Sequence, residues 1–138
     1  MKNVWIAGFV LTTVAVMSIV APAQVKKGKT RLAQTKQLMS GLVQPQCAAV
    51  GKGTKEAPTD DKAWASLATS AALLNEAGHL LMDDGRCPDA DWANAAKVLR
   101  ESSAAVLAKV EAKDAAGAAT EFKKLTESCG ACHKAHKK

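Results

Sequence analysis

The stretch PDADWANAAKVLRESSAAVLAKV, residues 88–110, decides the fold. Trp92, Ala96, Leu99, Ser103, Val106 and Val110 recur in it at alternating steps of four and three, the rhythm that turns one stripe of a helix towards its neighbours. Pro88 suits a first helical position, and Asp89 and Asp91 put negative charge in the first turn, where the helix dipole favours it. The segment before it repeats the rhythm through Trp64, Leu67, Ala71, Leu74, Gly78 and Leu81. It follows Asp60-Asp61, either of which can cap a helix, and Gly85 suits a left-handed close after Asp84. The segment after it starts near Asp114 and carries Ala118, Phe122, Leu125, Cys129 and Cys132. A less regular first helix shows a face of Leu32, Met39, Leu42 and Val43; Pro45 should kink or end it, with a loop rich in Gly, Lys and Pro over 51–59. No stretch alternates convincingly with the period of a strand. Short joins at 85–87 and near Asp114 force antiparallel neighbours, so the expected fold is all-α, an antiparallel up-down-up-down four-helix bundle.

The 138 residues fit one domain, and 48% apolar with 23% charged is a globular balance. With three Trp, two Phe and no Tyr, a core of Ala, Leu and Val is thin, leaving room for a non-protein filler. The net charge of +6 comes without a dense basic run interleaved with aromatics, which argues against nucleic acid. Residues 1–23 read as a secretory signal peptide: Lys2, an apolar run from Val4 to Val20, then Ala21-Pro22-Ala23 before Gln24. An uncleaved anchor is the alternative. Both export the four-helix domain, 24–138.

Cys129-Gly130-Ala131-Cys132-His133 is the strongest chemical signal. CxxCH is the attachment signature of c-type haem. On a helix, residues i, i+3 and i+4 share a face, so two thiols reach the two vinyl groups on the porphyrin while the imidazole meets the iron. Gly130 and Ala131 are small enough to let the ring approach the backbone. A redox CxxC usually sits at a helix N-terminus, whereas this one lies near a helix C-terminus. Four zinc ligands drawn from Cys129, Cys132, His133 and His136 would converge poorly within eight helical residues. No paired-carboxylate, nucleophile–base or phosphate-cradling signature is present, so no enzyme activity is expected.

An export signal, four helices and a CxxCH near the end of the last one resemble the class II cytochromes c, the family of cytochrome c-prime and its low-spin relatives. In class I cytochromes the motif lies near the N-terminus. The resemblance implies a periplasmic protein with one covalently attached haem c, held by Cys129 and Cys132 with His133 as proximal iron ligand. It also implies that the first helix supplies the residue over the other face. Met39 is the favoured sixth ligand, placed about two turns into that helix (~12–15 Å); His79, Met82 or an open position are the alternatives. A His/Met iron suits one-electron transport, and a five-coordinate iron suits binding of small gaseous ligands, as in cytochrome c-prime. His136 reads as a solvated tail residue.

Cys47 and Cys87 remain. An even remainder in an oxidising compartment suggests a disulfide, but a straight first helix carries Cys47 ~12 Å beyond Met39, away from the haem end where Cys87 lies. Lys26, Lys27, Lys29, Arg31, Lys134, Lys137 and Lys138 gather at that end. They are either a solubilising pair of termini or a surface that steers an acidic redox partner. The Ala-rich outer faces permit a homodimer without demanding one.

Overall fold

The computed structural model describes residues 28–137, so the expected signal peptide lies outside the described residues. The described chain is all-helical, and no strand occurs among those residues. One continuous helical run comprises α1 (Thr35–Leu38), a π-helical segment (Met39–Val43) and α2 (Gln44–Lys55). Three helices of equal length follow: α3 (Asp61–Met82), α4 (Ala90–Glu111) and α5 (Ala115–His136). Helix α4 packs along both α3 and α5, and α2 lies against α3 and α5. None of these helices is long and apolar enough to cross a membrane.

Each long helix starts at an aspartate whose carboxylate takes up a first-turn amide that has no partner within the helix. Asp60 accepts from the Ala63 N–H at 2.8 Å, Asp89 from Trp92 at 2.9 Å and Asp114 from Gly117 at 2.8 Å. This corrects the expected start of α4. Asp89 is the cap, and Pro88 precedes the helix rather than opening it.

Pro45 neither ends nor breaks the first helix, which runs ten residues beyond it to Lys55. The structure shows why. The Gln44 N–H bonds to the Met39 carbonyl, five residues back, so the turn ahead of the proline is widened. A proline clashes with the carbonyl four residues before it and donates no hydrogen bond. Placing a wide π turn immediately upstream relieves the clash and moves the missing donor to the point where the ladder changes register.

The seam of α4 is buried in full: Trp92, Ala96, Leu99, Ser103, Val106 and Val110. It meets Leu67, Ala71, Leu74, Gly78 and Leu81 of α3, and Ala118 and Leu125 of α5. Trp64 and Phe122, expected on the same stripes, are half-buried at the margin. The Trp92 indole N–H donates to the Leu81 carbonyl at 2.8 Å, which satisfies its polar end within the core.

A strap of residues 28–34 reaches α1 across the α3–α4 loop. Asp84 and Gly85 both take left-handed backbone angles there, φ 60° and 76°. That conformation aims the Asp84 carboxylate at the strap, where it accepts from the Thr30 N–H at 2.9 Å, the Thr30 hydroxyl at 2.9 Å and the Arg31 N–H at 2.8 Å. The Lys29 N–H donates to the Asp84 carbonyl at 3.1 Å. Arg86, only 1% exposed, donates from Nη2 to the Ala33 carbonyl at 2.9 Å.

Candidate cofactor cavity

Helix α5 presents Cys129, Cys132, His133 and His136 towards the first helical run, which presents Thr35, Met39, Val43 and Cys47; Trp92 of α4 completes the wall. Together with a few polar residues they line an open-sided cavity of about 520 Å³. That is the size range of small-molecule and cofactor sites. A second space of about 40 Å³ shares Met39, Val43, Trp92, Cys129, Cys132 and His133 with it and reaches Leu81 and Leu99 in the core. All four residues expected to bind haem therefore line one cavity, and Met39 and His133 line both spaces. The helix starts at Thr35, so Met39 stands one turn into it rather than two.

His79 is exposed on α3, and Met82 packs half-buried against the core. Neither is among the residues that form the cavity. Gly130 and Ala131 are exposed, and a Cβ on Gly130 would meet nothing within 4 Å.

Two residues that the sequence placed elsewhere belong to the wall. The Cys47 thiol lies on it two turns along from Met39, because the helix continues through Pro45 and the cavity follows it. His136 is not a solvated tail residue. Its side chain is 10% exposed and stands edge-on to Trp92, with ring centroids 5.4 Å apart. The helical rhythm carried the signal, since Ala118, Phe122, Leu125, Cys129, Cys132 and His136 continue the four–three spacing to the end of α5. His136 Nε2 is buried without a hydrogen bond, 3.5 Å from an oxygen of Asp89 that already caps α4.

The thiols are held in their neutral form. Burial, with Cys129 nearby, raises Cys47 to about 11. Burial likewise raises Cys129 and Cys132, and for Cys132 the neighbouring Cys129, Asp89 and Asp91 add to it. A disulfide-exchange centre needs the opposite shift, towards thiolate. All four cysteines are free, and Cys87, in the α3–α4 loop, directs its sulfur at the Asp89 carbonyl 3.4 Å away. Among the described residues no group of three or more His, Cys, Asp or Glu side chains converges as a metal site.

The donor set fits haem c. Two thiols on one helical face, an imidazole on the next residue and a thioether from the facing helix surround a space with an aromatic wall, and one buried imidazole nitrogen there lacks a partner. Lys36 and Lys137 line the same cavity and are exposed, adding positive charge at its mouth. No protein-family model, curated protein or solved structure matches this chain.

Proposed function

We propose that this chain is a periplasmic c-type cytochrome of the class II kind, an antiparallel up-down-up-down bundle that carries one electron on one covalently bound haem c. The observation that carries the reading is the meeting of Cys129, Cys132, His133 and Met39 around one cavity. The few residues between α3 and α4, and between α4 and α5, support the up-down order. Bound there, haem supplies reversible one-electron chemistry at its iron.

The chain's own residues do the rest. Cys129 and Cys132, neutral thiols on one helical face, would hold the ring covalently through thioether bonds. His133, the next residue, would supply an imidazole ligand to the iron. Met39 would supply a thioether, a soft ligand that favours the ferrous state. Trp92, Val43 and the half-buried thiol of Cys47 keep water from the ring. Exposed Lys36, Lys134 and Lys137 leave positive charge near the site, suited to an acidic redox partner and to rapid association that weakens with salt.

Intact mass and visible spectra of the protein exported with the cytochrome c maturation machinery test this reading. The expected result is one covalent haem per chain, lost in the Cys129→Ser/Cys132→Ser double variant. Export of the wild-type chain without added mass overturns it.

A further inference from the structure

We infer that Asp84 and Arg86 are positioning residues for the sixth iron ligand: by clamping the 28–34 strap they fix the start of α1 and so the height and rotation of Met39. This rests on the haem reading above and on Met39 as ligand.

Met39 sits near the start of the continuous run Thr35–Lys55. Helix α1 is the four-residue first turn of that run, where the leading amides have no partner within the helix. Met39 then opens the π-helical segment, where the hydrogen-bond ladder changes register. The strap on the N-terminal side decides where that first turn begins.

That strap is tied to one short loop. The Asp84 carboxylate accepts from Thr30 and Arg31 through their backbone N–H groups and from the Thr30 hydroxyl. The Asp84 carbonyl accepts from Lys29. Gly28 lies so close to this carboxylate that a Cβ there has no room. Arg86 reaches past them to the Ala33 carbonyl, two residues before the helix. Arg31 and Asp83 add an exposed contact at 3.9 Å, which contributes little. Backbone amides at 29, 30 and 31 are thus held by one left-handed residue, Asp84, and the carbonyl at 33 by a buried guanidinium. If the strap slipped by one residue, Met39 would move ~1.5 Å and turn ~100°. A metal ligand tolerates displacement of only ~0.5 Å.

The test uses the haem-loaded full chain. Asp84→Gly removes the carboxylate while keeping a residue at ease with positive φ, and Asp84→Asn retains one acceptor oxygen. Met39→Ala is the reference for an absent ligand. The expected result for Asp84→Gly is at least tenfold faster carbon monoxide binding and a partial change to a five-coordinate spectrum, with helical content unchanged. Asp84→Asn should fall between Asp84→Gly and wild type. Hydrogen exchange of the 35–43 amides should rise at least tenfold in Asp84→Gly while exchange in the middle of α4 stays level. A wild-type spectrum and carbon monoxide rate in Asp84→Gly, where Met39→Ala changes both, overturns the clamp alone. A wild-type spectrum in Met39→Ala overturns Met39 as ligand and the inference with it. Faster amide exchange without any spectral change reduces Asp84 to a structural tie and also overturns the inference.

Discussion

The imidazole of His136 meets the indole of Trp92 edge-on, with planes at 77° and centroids 5.4 Å apart. The contact joins the last turn of α5 to the first turn of α4 beside the cavity. Trp92 is also a core residue, 4% exposed and hydrogen-bonded to Leu81. Trp92→Ala should therefore cost about 3–5 kcal/mol in urea unfolding. Trp92→Phe should retain most of the packing but lose about 1 kcal/mol with the indole hydrogen bond. No loss in Trp92→Phe would remove the hydrogen bond as a separate contribution.

Met39→Leu isolates the sulfur from the side-chain volume. A volume-conserving swap costs less than ~1.5 kcal/mol, so the thermal midpoint should move little. On the proposed haem reading, the reduced protein should nevertheless change from refusing carbon monoxide to binding it within seconds. A variant that still excludes the gas would show that wall packing, not a thioether bond, closes that side of the iron.

Removing the ring at 45 should return the first run to regular α-helix. Pro45→Ala restores an N–H four residues after Gly41, and the run from Thr35 to Lys55 can then become α-helical throughout. Hydrogen exchange at 40–46 should slow, and the bundle should gain up to ~3 kcal/mol. If Met39 is the sixth ligand as proposed, its displacement should at the same time be read as faster carbon monoxide binding. Unchanged exchange at these amides would mean that the wide turn has another cause.

Acid should destabilise the bundle through carboxylates that folding holds charged. The Arg31 N–H chiefly lowers Asp84, the Gly117 N–H and Lys109 lower Asp114, and Lys113, 2.6 Å away, lowers Asp61. A depressed folded value means that the stabilisation is complete above the ordinary carboxylate value and is lost as pH falls through the folded one. Thermal midpoints should be level down to about pH 5 and decline below about pH 4. Asp114→Asn should start lower at neutral pH and decline less steeply. A parallel curve would exclude Asp114 from the acid response.

Cys47 gives a pH signature on the alkaline side. Its thiol is raised to about 11, and only the thiolate is nucleophilic. In the haem-free chain, alkylation of Cys47 followed by peptide mass should accelerate about tenfold per pH unit from 8 to 10 without levelling. A plateau near pH 9 would indicate an ordinary, solvated thiol.

Much of this arrangement is legible in the residues. The α4 seam appears as a six-member rhythm, and all six are buried. Of the two candidate caps Asp60 and Asp61 it is Asp60 that caps α3, the last helix starts at Asp114 as expected, and Cys129, Cys132 and His133 line the main cavity. The misreadings have specific causes. Pro45 is accommodated by a π turn, a change in hydrogen-bond register that leaves no mark in apolar spacing. A straight first helix does carry Cys47 two turns past Met39, but the cavity extends along it that far. His136 continues a legible seam but was judged by its nearness to the chain end. Arg86 had no signal at all, since its burial depends on carbonyls at Leu80 and Ala33, one of them 53 positions away.

Asp89 holds the Trp92 amide and lies 3.5 Å from the His136 imidazole. Together with the Trp92–His136 ring contact, this sets the opening of one helix against the closing of another. A terminal turn is ordinarily the first part of a helix to unravel, yet here loosening it means disturbing the start of α4 as well. The residues expected to grip the iron are shielded from end-fraying, and the pocket should melt with the bundle rather than ahead of it.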